Sequence, residues 1–400
     1  MTTIEERLLT PVKSNYDIII CGGGVAGISA AIAAKRAGVE KILLLEKTFS
    51  FGGLATSGLI CLFEPLDDGT GDRVMNGLVP EFLGNTLRYS FSSLDPQWSS
   101  FPETGPEKPR CCSIFSPAVF SLVLDEMLRG ESIDVLLDTT IVSTCMEGTV
   151  CKAVIVENRE GRAAFGAKTV IDATGDSIVL DRCGVPCRTG KNWLTSICFQ
   201  ASVASAGKTS ESGQISRLLE WRNYGANDLG KGHPEGFPML EGLTSDEVTR
   251  FMREARHRVF EGIKNDDPSQ RDVISLPSLP QLRMTRRIDG AYTMTESDIK
   301  VRHDDSIGVS GDYKFSDRWY ELPFGTLFNR KYPNLITCGR SLSAEGWAWN
   351  ALREIPVCIM TGQAAGAAAA ASVLERRHFT EIPVSRIQDI LERQDVRLHK

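Results

Sequence analysis

The feature that most constrains this chain is a glycine-rich turn between an apolar run and an alanine-rich stretch. Residues 16–21 (YDIIIC) predict a short buried strand, and residues 28–37 predict a helix that ends at Gly38. A second apolar run, ILLL at 42–45, predicts the next strand. Because strand, helix and strand follow one another at close spacing, the segment predicts a β-α-β unit and therefore a parallel sheet.

The turn itself has the spacing of a dinucleotide site. It reads GGGVAG at 22–27, where Gly22 allows the tight turn, Gly24 lets backbone N–H groups approach a pyrophosphate and Gly27 lets helix pack on strand. Ala26 lies in the same turn, at a helix N-terminus whose free N–H donors and partial positive charge favour phosphate. We therefore assign all four residues to a dinucleotide site.

The acidic residue after the second strand narrows the choice of dinucleotide. Glu46 follows the glycines by roughly 20 residues, the distance at which an acid accepts hydrogen bonds from ribose hydroxyls. Its negative charge would repel a 2′-phosphate. The sequence therefore favours FAD or NAD over NADP.

A second glycine-rich loop indicates which of the two cofactors, FAD or NAD, the chain binds. Residues 51–58 read FGGLATSG. With the first turn, they resemble the FAD-dependent oxidoreductase family of the glutathione-reductase-type fold, whose members carry G-G-G-x-A-G and then G-G-x-A-T-x-G. The resemblance implies FAD as the cofactor. It also implies that four residues lie along the pyrophosphate and the flavin: Lys47, Gly53, Ala55 and Thr56.

Two later segments match the same family in order. Residues 169–176 (TVIDATGD) predict a strand and a small-residue turn, which the resemblance places over FAD. Residues 334–340 predict another strand, and Arg340 could pair with phosphate or form a surface ion pair. The further cofactor residues implied in these parts of the chain are Ile141, at the adenine, and Ala173, Gly175, Asp176 and Gly339.

The last cofactor element is a helix that Pro356 begins and that continues to about Leu374. The resemblance implies that its N-terminus faces the flavin. We predict the backbone N–H groups of Ile355 and Val357 as the donors, because a helix N-terminus stabilises negative charge on the reduced ring.

The motifs predict an α/β fold, with a Rossmann-like FAD-binding domain of the glutathione-reductase type and an inserted α+β substrate domain. Their order assigns three segments to the FAD-binding domain: 1–62, 106–190 and 325–400. Residues 63–105 and 191–324 form the predicted substrate domain. Within it, 280–290 match the family's P-Q-x-x-x-T-R-R-I-x-G pattern.

Composition argues against several classes of protein. The 400 residues carry a formal net charge of −6, so no global positive field favours nucleic acid. The N-terminus lacks a secretory pattern and no run reaches the ~20 apolar residues of a membrane span, so we expect a cytoplasmic protein that does not bind membranes. The eleven cysteines and five histidines have no metal-ligand spacing, so no metal is expected.

The expected reaction is hydride transfer between flavin N5 and a small polar substrate, with an electron acceptor or donor that stays unidentified. No second glycine fingerprint lies between a strand and a helix, so a built-in NAD domain is not expected. The alternatives are a flavin monooxygenase or halogenase, and a non-catalytic FAD-stabilised binding protein. The sequence leaves the oligomeric state open, including a homo-oligomer.

The candidate catalytic residues lie close in sequence to the flavin-facing segments. They are Glu345, Asn350 and Arg353, which follow Gly339, and Arg287 of the 280–290 pattern. Arg283 is a further candidate for binding an anionic or polyhydroxylated substrate. For the arginines, a structural ion pair is an equal alternative.

Overall fold

The computed structural model describes residues 4–400, in which the largest element is a seven-stranded sheet. The strands are β1 (Val12–Cys21), β2 (Ile42–Leu45), β3 (Leu62–Phe63), β4 (Ser113–Ile114), β5 (Asp134–Leu136), β6 (Thr140–Glu147), β7 (Val150–Asn158), β8 (Gly161–Asp172), β9 (Cys187–Thr189), β10 (Ile197–Ser202), β11 (Glu220–Asn223), β12 (Arg271–Ser275), β13 (Arg286–Ile288), β14 (Ser306–Gly311), β15 (Trp319–Pro323) and β16 (Leu335–Thr337). The α-helices are α1 (Val25–Arg36), α2 (Leu78–Leu87), α3 (Pro117–Gly130), α4 (Ile178–Arg182), α5 (Val203–Ser212), α6 (Ser245–Ile263), α7 (Gly346–Ala351), α8 (Ile355–Glu375) and α9 (Val384–Arg393).

The main sheet has the order β5-β2-β1-β8, and β8 extends it in two ways. The N-terminal half of β8 pairs antiparallel with β7, which pairs with β6, while its C-terminal end pairs parallel with β16. The pairings of β2 with β5 and of β1 with β2 and β8 are also parallel. The predicted α/β fold with a parallel, Rossmann-like sheet is confirmed, and β1, α1 and β2 form the predicted β-α-β unit.

The register brings four strand ends to one edge of the sheet. Cys21 pairs with Leu45 and with Asp172, and Asp172 pairs with Thr337. In open parallel sheets, ligands bind beyond the carboxyl ends of the strands. The segments that leave this edge are those that carry the sequence motifs: 22–27, 46–58, 173–176 and 338–341.

Strand β8 is longer than the sequence indicates. The sequence predicts a strand that begins at Thr169, whereas β8 begins at Gly161. The strand runs through Gly166, which pairs with Asn15 of β1 and with Ala153 of β7. Pairing on both sides overrides the local preference of a glycine for a turn.

Helix α8 packs closely against α1. Added Cβ atoms at Gly362 and Gly366 would overlap the backbone of Ala26 and Ala30, respectively, so the two helices meet at van der Waals distance only because these positions are glycine. By length and a mean hydropathy of 1.5, α8 could span a bilayer, but 89% of its most apolar window is buried inside the protein. A core helix of a globular protein passes the same test.

We expect Gly366→Ala to lower the free energy of unfolding by about 1–3 kcal/mol, because overpacking outweighs the ~1 kcal/mol that alanine gains over glycine in a helix. Urea denaturation measures the change. Gly207→Ala in α5 is the matched control, since its Cβ would meet nothing within 4 Å. The control is expected to be slightly stabilised, and a Gly366→Ala variant that behaves like it would contradict the close packing.

A smaller sheet follows the main one along the chain. It has the order β11-β10-β12, and α6 packs nearby over a separate apolar cluster: Leu194, Leu240, Phe251, Ala255 and Leu282. These elements fall within the segment 191–324 that the sequence assigns to a substrate domain. The domain bounds themselves stay a prediction.

Candidate functional site

A cavity of about 340 Å³ lies at the carboxyl edge of the main sheet. Its wall combines the ends of β1, β2, β8 and β16 with the N-termini of α1 and α8 and with residues 279–281 and 283. The sequence-predicted residues that line it are Gly22, Gly24, Ala26, Glu46, Lys47, Gly53, Ala55, Ile141, Ala173, Gly175, Asp176, Gly339, Arg340, Arg353 and Ile355. Motifs from both ends of the chain therefore meet in one place.

The glycine turn forms one part of this wall. Gly22 has a φ of +118°, and an added Cβ would overlap the carbonyl group of Ala173, so only glycine fits. At Gly24, by contrast, an added Cβ meets nothing within 4 Å and the residue faces the open cavity. Gly24 is also the N-cap of α1, and in the described residues no side chain makes a capping hydrogen bond at this helix end. The first N–H groups of α1, at Val25 and Ala26, thus border the cavity without intrahelical acceptors.

Glu46 holds the turn and borders the cavity together with Ile141. Its Oε2 accepts a hydrogen bond from the Gly23 N–H at 2.7 Å. Its Oε1 accepts from the N–H and the hydroxyl of Thr48, both at 2.8 Å. Glu46 as a whole is only 8% exposed, yet it lines the cavity, and its carboxylate keeps lone pairs for ribose hydroxyls.

We expect Glu46→Arg to weaken FAD retention by at least about tenfold, since loss of a charge-assisted hydrogen bond costs roughly 1.5–3 kcal/mol. Fluorescence titration of the apoprotein with FAD measures the affinity. Because Glu46 also accepts a hydrogen bond from Gly23, a melting curve of the apoprotein accompanies the titration and reports whether the variant folds. Unchanged FAD occupancy would contradict the ribose assignment.

The turn after β8 is shaped by a buried acid that the sequence did not single out. Asp172 accepts hydrogen bonds from the N–H groups of Thr174, Val179 and Leu180, at 2.9–3.0 Å. Arg340 braces the same turn: its Nη1 donates to Leu282 O at 2.6 Å, and its Nη2 lies 3.3 Å from Asp176. Of the two roles open to Arg340, the structure contains the ion pair, and a contact with phosphate stays a prediction.

Three residues predicted at the cofactor lie behind the wall. Gly27 is pressed against the carbonyl of Gly22, which is the close approach expected of that glycine. Thr56 is 4% exposed, and its hydroxyl donates to Phe51 O at 2.5 Å, so it shapes its own loop. Val357 is fully buried, whereas Ile355 lines the cavity. These residues support the wall but do not form it.

Two of the candidate catalytic residues form a buried network at the cavity. Arg353 lines it, and its Nε and Nη2 donate to Asn350 Oδ1 at 3.1 and 2.6 Å. Asn350 Nδ2 donates to the Tyr313 hydroxyl at 2.8 Å, which donates to Asp228 at 2.7 Å. Asn350 lies outside the wall and orients Arg353.

The other two candidates, Glu345 and Arg287, lie elsewhere. They line a second, more polar depression with Arg188 and Trp349, and they pair with each other at 3.4 Å. The Glu345 side chain is 61% exposed. The sequence made Glu345 a candidate because it follows Gly339, and Arg287 because it belongs to the 280–290 pattern. In the structure neither residue lines the first cavity.

Two charged residues near the cavity, Glu354 and Glu64, have no role in the sequence-based assignment, whereas a third, Arg283, is one of its candidates for substrate binding. Glu354 lines the cavity, lies 3.1 Å from Arg353, and has its pKa raised by burial against the opposing effect of the neighbouring arginines. Arg283 lines it as well. Glu64 interacts with Glu354, and burial raises the pKa of Glu64 to about 7. Their positions in the sequence, 64, 283 and 354, give no signal that they are neighbours.

The cavity fits FAD. Its glycine turn leaves open space at Gly24 beside free N–H groups, as a pyrophosphate requires. Glu46 suits the ribose, and the wall also contains apolar residues that suit an aromatic ring: Leu54, Ile60, Leu279, Pro280 and Ile355. No group of three or more His, Cys, Asp or Glu side chains in residues 4–400 is arranged to hold a metal ion.

Comparison with known proteins points to the same cofactor. A family model described as FAD dependent oxidoreductase matches residues 17–206 and 199–391. A digeranylgeranylglycerophospholipid reductase of Methanocella arvoryzae is 24% identical over 204 residues, 50% of this chain and 41% of that protein. A protein of Dictyostelium discoideum named as a bifunctional amine oxidase is 45% identical over 47 residues, 12% of this chain and 4% of that protein. This chain thus spans less than half the length of either relative.

Two solved structures are similar at low identity. The p-nitrophenol 4-monooxygenase of Pseudomonas putida has a TM-score of 0.49 and 14% identity, with 95% of this chain and 84% of that chain covered. A geranylgeranyl bacteriochlorophyll reductase-like protein of Thermoplasma acidophilum has a TM-score of 0.48 and 14% identity, with 96% and 84% covered. Neither likeness decides the reaction. Since the family model matches nearly the whole chain, this protein belongs to the FAD-dependent oxidoreductase family and is an enzyme that uses FAD.

Proposed function

We propose that this enzyme transfers a hydride between FAD and a small polar substrate, either oxidising a hydroxyl or an amine or reducing an activated double bond. The observation that carries the proposal is the buried Arg353–Glu354 pair in the wall of the FAD cavity, beside the N-terminus of α8. When bound, FAD supplies the ring that accepts or donates the hydride. The protein must then bind the substrate and move one proton.

Glu354 is the residue to which we assign the proton. Its Oε1 faces Arg353, while its Oε2 has no hydrogen-bond partner in residues 4–400. A carboxyl whose pKa is raised by burial holds and releases a proton closer to neutral pH than an exposed one. Arg353, fixed by Asn350, orients this carboxyl.

The apolar part of the wall supports the same reaction. Leu54, Ile60 and Leu279 line the same cavity as the charged pair and make part of its wall apolar. Exclusion of water strengthens the electrostatic effect of Arg353 and Glu354 on a bound substrate. This arrangement suits a substrate with a polar reacting group.

Anaerobic incubation of the FAD-loaded enzyme with a metabolite panel tests the proposal. Oxidation of a hydroxyl or an amine is expected to bleach the visible flavin absorption, and reduction of a double bond is expected to restore the colour of photoreduced enzyme. Substrate-dependent NAD(P)H oxidation with incorporation of oxygen would instead identify a monooxygenase. If no acceptor reoxidises the photoreduced enzyme faster than air does and no compound bleaches it, the protein is a non-catalytic FAD-binding protein.

A further inference from the structure

The side chain of Arg283 lines the FAD cavity without a protein partner. Among residues 4–400, its guanidinium donates no hydrogen bond and has no carboxylate oxygen within 4.0 Å. Burial lowers the pKa of Arg283, and the charge of Arg353 lowers it further. A guanidinium nevertheless stays protonated, because its ordinary pKa lies far above neutral pH. The cavity therefore contains an unpaired cation.

The nearby acids are already engaged. Glu354 pairs with Arg353 at 3.1 Å, and Asp228 accepts the hydrogen bond of Tyr313 at 2.7 Å. Both act on Arg283 through space only. A partly buried cation without a direct partner is less favourable than a paired one, so a ligand is the natural source of its missing partner.

The backbone beneath Arg283 is fixed. Its N–H donates to Asn192 Oδ1 at 2.6 Å, and the Asn192 amide also donates to the carbonyl groups of Leu240 and Met284 at 3.1 and 3.2 Å. Asn192 is itself 3% exposed. The main chain is thus anchored in the smaller domain while the side chain points its charge at the cavity, as in a preorganised binding residue.

We propose that Arg283 binds a carboxylate of the substrate, so that the enzyme acts on a small carboxylic acid. This rests on the proposed hydride-transfer function and names its substrate class. The planar guanidinium can donate two parallel hydrogen bonds to a carboxylate, which gives orientation as well as affinity. A substrate held in this way places its reacting carbon in the same chamber as Arg353 and Glu354.

The phosphates of FAD are the other anions that could approach Arg283. The free N–H groups of α1 and the glycine turn provide a separate place for them, at Gly24 and Ala26. The charged residues that act on Arg283 are instead Arg353, Glu354 and Asp228, which include the pair assigned above to proton transfer. This placement favours the substrate over the cofactor.

Titration of the FAD-loaded enzyme with acetate, and with its neutral isostere acetamide, tests the proposal. Acetate is expected to change the visible flavin spectrum saturably, whereas acetamide is expected to have no effect at the same concentration. Arg283→Met should weaken acetate binding by at least about tenfold, as loss of a charged pair implies. Arg222→Met, which removes an exposed arginine of β11, should bind acetate like the parent.

Two further measurements keep the outcome clear. FAD content of Arg283→Met is measured first, and if that variant does not fold, Arg283→Lys replaces it and should retain weaker acetate binding. Loss of FAD without loss of acetate binding would assign Arg283 to the cofactor and overturn the proposal. Equal response to acetate and acetamide would overturn it as well. Acetate binding in an enzyme that no metabolite bleaches would contradict the proposed reaction and leave the carboxylate site standing.

Discussion

A Gly24→Asp variant is expected to fold like the parent protein and to purify without FAD. Gly24 has φ −70° and ψ 172°, an ordinary extended backbone, and an added Cβ meets nothing within 4 Å. Aspartate is a favoured N-cap and would stabilise α1 by roughly a few tenths of a kcal/mol relative to glycine. The same carboxylate would, however, occupy the N–H groups of α1 and place a negative charge where a pyrophosphate is expected.

The loss of affinity for FAD should be at least about a hundredfold, since hydrogen bonds to charged groups contribute roughly 1.5–3 kcal/mol each. Visible absorption of the purified protein and fluorescence titration with FAD measure it, and a melting curve of the apoprotein reports the fold. Gly207→Asp in α5 introduces the same side chain into open space and should keep its FAD. A yellow Gly24→Asp protein with normal FAD affinity would show that the pyrophosphate lies elsewhere.

The cofactor end of the cavity could be predicted because its residues follow strands directly. Gly22, Glu46, Ala173 and Gly339 each come within two residues of the end of a parallel strand, and parallel strands end at one edge. Local apolar patterns sufficed to predict those strands. The motifs did not, however, predict the direction in which each side chain points. Thr56 lies in a matching motif, but its hydroxyl donates a hydrogen bond within its own loop.

The substrate end could be predicted only in part, for a physical reason. The sequence motif made Arg283 a candidate, but its position depends on Asn192, 91 residues away along the chain, and Glu64 comes near Glu354 only after the chain has folded. No periodic pattern encodes such contacts. Closeness in sequence was also misleading, because Glu345 and Glu354 are nine residues apart and line different depressions.

Replacing Glu354 by glutamine is expected to reduce kcat by about 10²–10⁴-fold, the usual effect of losing a general acid or base. FAD content should be unchanged, because glutamine keeps the size of the side chain. Single-turnover kinetics of flavin bleaching or reoxidation measure the loss. Glu345→Gln provides a competing test of the sequence-based assignment: if it abolishes turnover while Glu354→Gln does not, the proton is handled at the second depression.

The pH dependence identifies both the residue and the direction of the reaction. Burial raises the pKa of Glu354; Arg353 and Arg283 oppose this shift, and Asp228 adds to it. If the enzyme oxidises its substrate, the ionised carboxylate is the active base, so kcat/KM rises with pH through a pKa above the usual glutamate value. If it reduces its substrate, the protonated acid is active and kcat/KM falls over the same range.

Substitution of Glu64 distinguishes its effect on the pH profile of kcat/KM from that of Glu354. The sloping part of this profile is called its limb below. Burial and the charge of Glu354 raise the pKa of Glu64 to about 7, and this coupling is mutual. Glu64→Gln removes a negative charge beside Glu354, so the limb of the pH profile should move to lower pH. Glu354→Gln should abolish the limb. A limb that survives Glu354→Gln and disappears in Glu64→Gln would assign the proton to Glu64, and the sign of its slope would still report whether the substrate is oxidised or reduced.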